Sequence, residues 1–284
     1  MVKEYQHLKI EDRGHLVICV LCNPPTHTFT SKGVLEVHDF LDQMEKKEDL
    51  RVLAFTGEGE DVFIKHYEVG ELAASAEKNI SEGNEGNEGN SDTSAPVELH
   101  NFHKMLLRLR ELNAIVVAGI NGNTAGGGCE FSLGCDLRIM SDGPFAIGLP
   151  ETSVGILPGG GGTQRLARLI GSSRALDLIL HARLLSPGQA LDFGIVNKLV
   201  EHENFYEELV SYCSDLASRA PIALRQVKKI IHHGLDVSLE EGLMMEQKAF
   251  DVTMRSNDAA KAMRALLDSD NSIEEKNEFK WEGN

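Results

Sequence analysis

The apolar positions of this chain fall first into short unbroken runs and then into helical repeats. Leu16-Val17-Ile18-Cys19-Val20-Leu21-Cys22 is uniformly apolar and closed by Asn23-Pro24-Pro25, which predicts a buried strand ended by a turn. Ser31 is placed to cap a helix running to about Lys47, with Val34, Leu35, Phe40, Leu41 and Met44 on its apolar side. Residues 51–57 and 114–120 read as two more buried strands, with a helix over about 97–112 between them, and 136–140 and 145–148 as further strand segments. From Gly159 onwards the pattern is helical almost throughout, apart from 195–200. The expected class is α/β, mostly α towards the end. Strands alternating with helices imply parallel pairing through right-handed crossovers.

Between the second and third strands the pattern breaks. Residues 81–91 carry a tandem Glu-Gly-Asn repeat that cannot bury enough apolar area to offset its ordering entropy, so an expanded, disordered surface loop is expected there. The expected organisation is a core over 1–200 with this acidic insert at about 77–95, a helical region over 201–267, and an acidic tail over 268–284.

The formal charge of −16 over 284 residues changes the picture only in part, because residues 77–98 contribute −5 of it and residues 268–284 another −4. The remainder is mildly acidic, which weighs against nucleic acid as a partner. No apolar signal region opens the sequence, and no run approaches the roughly 18 apolar residues of a membrane span. A cytoplasmic protein without a membrane partner is the expectation. Cys19, Cys22, Cys129, Cys135 and Cys213 are expected to be free thiols, and no second pair completes the Cys19/Cys22 spacing into a zinc site. No metal is expected. His27, His66 and His103 read as ordinary structural or exposed histidines.

The candidate chemistry lies in Asn121-Gly122-Asn123-Thr124-Ala125-Gly126-Gly127-Gly128-Cys129-Glu130 and in Glu151, 21 positions beyond Glu130. Three adjacent glycines let a ligand approach the backbone at a helix start, whose free N–H groups suit an oxyanion. Two carboxyl groups reaching the same pocket would supply proton transfer or hold a water. The glycines at 159–162 match neither a P-loop nor a dinucleotide-binding spacing.

Gly126-Gly127-Gly128-Cys129-Glu130, Cys135-Asp136, Pro150-Glu151 and the run from Gly155 through Gly159-Gly160-Gly161-Gly162-Thr163-Gln164-Arg165-Leu166 closely resemble the enoyl-CoA hydratase/isomerase (crotonase) superfamily. The resemblance extends over nearly the whole chain. It implies a crotonase-like spiral of β-β-α turns, a C-terminal helical region used in trimerisation, and a homotrimer or a hexamer made of two trimers. It also implies an acyl-CoA thioester substrate, with coenzyme A as part of the substrate and no separate cofactor. The oxyanion hole would be the backbone N–H groups of Tyr67, in Phe63-Ile64-Lys65-His66-Tyr67-Glu68, and of Gly127.

Glutamates at both 130 and 151 match the hydratase branch, whereas isomerases often retain only the second. Hydration of a trans-2-enoyl-CoA to a 3-hydroxyacyl-CoA is therefore implied. Glu151 would exchange the α-proton, Glu130 would activate the water, and Gly159 would line the water site. The alternatives are an isomerase using Glu151 alone, a hydrolase or decarboxylase of the same fold, and a non-catalytic scaffold.

Several departures from the family pattern touch the pocket, among them the turn at Asn23-Pro24-Pro25-Thr26-His27-Thr28-Phe29, which lacks the Asn-Ala-Leu that commonly follows it. His66 stands at a usual glycine, which implies strain or a reshaped loop if that position needs positive φ. Residues 142–144 add one residue between the glutamates. The tail is acidic where relatives commonly carry a basic stretch near the coenzyme A 3′-phosphate.

Overall fold

A computed structural model describes residues 4–83, 98–268 and 279–284. β1 (Leu8–Asp12) pairs antiparallel with β2 (Leu16–Leu21), after which the chain bridges at Phe29 and enters α1 (Ser31–Met44). β3 (Val52–Gly57) is followed by bridges at Val62 and Tyr67, then α2 (Val69–Gly83) and α3 (Asn101–Glu111). β4 (Ile115–Ile120) leads to β5 (Thr124–Ala125) and α4 (Gly127–Leu133). β6 (Leu137–Asp142) leads to β7 (Ile147–Gly148), a 3-10 turn at Glu151–Val154, α5 (Gly162–Ile170) and α6 (Ser172–Leu180). Next come β8 (Leu184–Leu185), α7 (Pro187–Asp192) and β9 (Lys198–Glu201), and then α8 (Phe205–Ala217), α9 (Pro221–Gly234), α10 (Leu239–Met254) and α11 (Asn257–Asp268).

Each turn of the chain places one strand in the sheet β1-β2-β3-β4-β6-β9, one short segment in a second layer around β5-β7-β8, and then a helix. This is the expected β-β-α spiral. All pairs beyond β1 in the larger sheet are parallel.

The strands are apolar at consecutive positions because both faces of that sheet are covered. Leu53, Phe55, Val116 and Ala118 belong to the inner core with Phe40, Met105, Leu106 and Phe131. Val52, Ala54, Val117 and Ile139 belong to the outer one, under Phe205, Leu209 and Cys213 of α8. All five cysteines are buried free thiols.

The structure differs from the sequence reading at several boundaries. β1 was not anticipated: Leu8–Asp12 is a half-exposed edge strand, so its apolar content is low. Thr30, not Ser31, caps α1, because its hydroxyl accepts the Gly33 N–H. α2 runs to Gly83, so residues 77–83 of the expected insert are helical. Its alanines and glutamates favour helix up to the first Glu-Gly-Asn unit. The rest of the repeat, and Val97 at the expected start of α3, lie outside the described residues. Residues 279–284 pack on the fold: Glu282 and Gly283 N–H groups donate to the buried Asp258 carboxylate, and Arg51 donates to Trp281 O.

α9 is tied to the core by a buried charge cluster. Asp136, at the turn before β6, accepts from Lys228 Nζ at 2.8 Å, His232 Nε2 at 2.7 Å and Val116 N–H at 2.7 Å. Lys228 also donates to Leu109 O and Ala114 O, and burial pulls its pKa down against the opposing pull of Asp136. Removing one partner from a buried pair leaves an uncompensated charge, which typically costs about 3–5 kcal/mol. Asp136→Ala is expected to lower unfolding stability by that order in urea titrations. Lys228→Met, after which Asp136 keeps His232 and the Val116 N–H, should lower it less.

Candidate active site

The site begins with backbone pairing. Asn123 N–H donates to Asp61 O, Phe63 N–H to Asn123 O, and Ala125 N–H to Lys65 O, so residues 61–65 run alongside β5. Thr124 Oγ1 donates to Ile64 O at 2.7 Å, and Asn121 accepts the Gly57 N–H while donating to Val62 O. These bonds carry Tyr67 to the start of α4. A side chain at Gly128 would lie 2.0 Å from Ile64 O, and one at Gly127 would lie 2.9 Å from Tyr67 Cβ and 3.0 Å from Tyr67 N. Only glycine permits that approach. Gly126, with φ +48°, makes the turn into the helix. Neither the Tyr67 nor the Gly127 N–H has a partner among the described residues.

A cavity of about 620 Å³ opens over these two amides, lined by His66, Tyr67, Gly126, Gly127, Glu130, Glu151, Gly159 and Gly160. Every candidate residue read from the sequence therefore faces one space. The added residue at 142–144 is absorbed in the turn after β6, since Glu151 still faces the same cavity as Glu130.

The two carboxyl groups have different surroundings. Glu130, on the first turn of α4, is 4 % exposed, and its Oε1 accepts the Gly160 N–H at 2.7 Å and the Gly162 N–H at 2.8 Å. Oε2 has no partner among the described residues. Burial raises the Glu130 pKa, and the two N–H groups and nearby Arg165 oppose that rise. Glu151, opening the 3-10 turn after Pro150, is pushed up to about 7, chiefly by burial and further by the charge of Glu130. Its Oε2 is buried without a hydrogen-bond partner among the described residues. A carboxyl that keeps its proton near neutrality suits a general acid, and one held by donors on a single oxygen suits a base.

Several contributors were not visible in the sequence. Gly160 and Gly162 hold Glu130 through their amides. A Cβ at Gly160 would sit 2.4 Å from Glu130 Oε2, so the glycine run is a seat for a carboxylate. Arg165 donates to Gly160 O at 3.3 Å, in the peptide that lies between the two donor peptides. Phe102, from α3, lines the cavity beside Tyr67, with ring centroids 6.1 Å apart at an interplanar angle of 80°. The fourfold glycine run was the available signal for this seat. Gly159 lines the cavity wall, its carbonyl 3.2 Å from His100 Nε2. His66 is not strained. Among the described non-glycine residues, positive φ occurs at His27 and Ala182. Among the described residues, no group of three or more His, Cys, Asp or Glu side chains is placed to hold a metal, and no helix is long and apolar enough to cross a membrane.

Comparison with known proteins gives the family and the fold. Residues 13–284 match the family described as enoyl-CoA hydratase/isomerase. A short-chain-enoyl-CoA hydratase of Clostridium acetobutylicum is 30 % identical over 266 residues, covering 93 % of this chain and 96 % of the relative. A crotonyl-CoA hydratase of Syntrophomonas wolfei is 26 % identical over 269 residues, covering 93 % and 96 %. The solved enoyl-CoA hydratase of Bacillus anthracis superposes with a TM-score of 0.81 at 30 % identity, over 93 % of this chain and 97 % of that one. From the match over nearly its whole length, and from a fold shared with solved relatives, the chain belongs to the enoyl-CoA hydratase/isomerase family.

Proposed function

We propose that the protein adds water to a trans-2-enoyl-CoA to give a 3-hydroxyacyl-CoA, with Glu130 and Glu151 as the proton-transferring pair and the Tyr67 and Gly127 amides as the oxyanion hole. The observation that carries this reading is the convergence of two unpartnered, neighbouring amides and two unlike carboxyl groups on one cavity. Coenzyme A enters as part of the substrate.

The Tyr67 and Gly127 N–H groups bind the thioester oxygen, drawing electrons from the conjugated double bond and leaving C3 electrophilic. A water held by Glu130 Oε2 attacks C3. The new C–O bond forms as Glu130 takes the water proton, and the π pair moves onto the thioester as an enolate. The enolate then collapses, and its C2 takes the proton from Glu151. One proton has entered through Glu151 and one has left to Glu130, so the pair holds a single proton before and after. The second glutamate favours hydration over isomerisation, because moving a double bond needs one shuttling carboxyl and has no use for a seated base.

The helices after β9 support an oligomer, a homotrimer or a hexamer of two trimers. Leu235, just after α9, and Leu239, opening α10, are 83 % and 79 % exposed, and Phe250 on α10 and Leu267 on α11 are uncovered. A cytoplasmic location belongs to the same reading. Light scattering after gel filtration is expected to give a mass of three or six chains, and a monomer would contradict the assembly.

Incubation with crotonyl-CoA should deplete the conjugated enoyl-thioester absorbance and yield a product heavier by one water. Conversion of a 3-enoyl-CoA without hydration would support an isomerase, and release of free acid or carbon dioxide a hydrolase or decarboxylase. Glu130→Gln and Glu151→Gln should each lower kcat by about 10²-fold or more.

Because the pair must hold one proton, kcat/KM is expected to fall as pH rises through about 7, where Glu151 loses it. Hydration takes up no net proton, so the dehydration direction must show the same limb. A profile flat from pH 6 to 9 would contradict the assignment. The same raised pKa makes the folded state bind a proton more tightly than the unfolded chain does. Its contribution to stability is present below the unfolded pKa of about 4.5 and is lost as pH rises to about 7.

A further inference from the structure

His66 occupies a position where the family usually carries glycine, yet its backbone shows no left-handed strain. Its side chain does something a glycine cannot. Nδ1 lies 2.7 Å from Tyr67 O. A carbonyl oxygen only accepts, so Nδ1 carries the hydrogen whether the ring is neutral or cationic. The carbonyl of His66 itself, in the same peptide plane as the Tyr67 amide, accepts the Phe29 N–H at 2.9 Å. Glu68 N–H, one peptide further on, returns to Phe29 O at 2.7 Å. Tyr67 Oη also pairs with Ser31 Oγ at 2.9 Å.

The Tyr67 amide is thus held on its N-terminal side by Phe29 and on its C-terminal side by the imidazole of its own neighbour. It rests against Gly127 with no partner of its own. An oxyanion donor works only if its direction is set before charge develops, since reorienting it during the reaction would consume the stabilisation it provides.

We propose that His66 is a positioning residue, whose Nδ1–H bond to the Tyr67 carbonyl fixes the direction of the Tyr67 amide and so the strength of its hold on the developing enolate. The inference rests on the reading of Tyr67 as an oxyanion donor. Its signature is a loss in kcat with little change in KM, because the amide matters most when the oxygen carries full charge.

The test compares wild type with His66→Asn, His66→Gln and His66→Ala. Asparagine sets an N–H where Nδ1 stands, glutamine sets one near Nε2, and alanine sets none. Each is assayed for kcat and KM with crotonyl-CoA and for the near-ultraviolet enolate band of bound acetoacetyl-CoA. The Ala and Gln variants are expected to lose about 5- to 10-fold in kcat and most of the enolate band, with KM within about twofold. Asn should recover the greater part of both. Equal behaviour of all three variants, or a loss confined to KM, would overturn the positioning role while leaving the hydratase reading intact. If wild type forms no enolate band and turns over no enoyl-CoA, both readings fall together. The Asn/Gln pair separates a lost tether from a disturbed fold.

Discussion

The close approach of the α4 N-terminus to residues 64–67 is the constraint on which the site depends. Gly128 has no room for a side chain against Ile64 O, and Thr124 donates to the same carbonyl from the preceding strand. Because that oxygen is both hydrogen-bonded and sterically closed, the two segments meet in one arrangement. Tyr67 N and Gly127 are neighbours as a result. The spiral supplies this meeting by placing successive short segments, at Val62, Tyr67 and β5, in a layer offset from the large sheet.

Electrostatics then divides two chemically identical side chains. Glu130 is the more buried of the pair, but backbone donors on one oxygen and a guanidinium nearby support its ionised form. Glu151 has burial without comparable donors, so the proton of a half-protonated pair resides mainly there. The asymmetry comes from backbone amides more than from other charged side chains. Such amides do not titrate, so the difference between the two acids persists over a wide pH range.

What could be read from the sequence was what the chain encodes locally. Leu16–Leu21, Val52–Gly57 and Ile115–Ile120 were evident as buried strands, because both their faces are covered and every position is apolar. The turn at Gly126–Gly128 was evident because three residues without Cβ in a row have few other uses. β1 and β8 were not, since an exposed edge strand and a two-residue strand carry little periodic signal. Nor was the seat of Glu130. The amides of Gly160 and Gly162 are 30 and 32 residues away, and composition does not say where a glycine run will fold back. The His66 contact escaped for a different reason: substitution of a glycine reads as a loss of freedom, whereas here the new ring supplies a bond.

The packing of residues 279–284 joins two distant parts of the fold. Arg51 and Asp258 are both nearly enclosed, yet Trp281 O, Glu282 N–H and Gly283 N–H are needed to satisfy them. Arg51 also donates to Ala217 O and Arg219 O, so residues 217–219 and Trp281 converge on one guanidinium. Arg51, just before β3, and Asp258, on α11, therefore gain their remaining partners together when residues 281–283 dock, which couples the closing of that end of the sheet to the seating of the last helix.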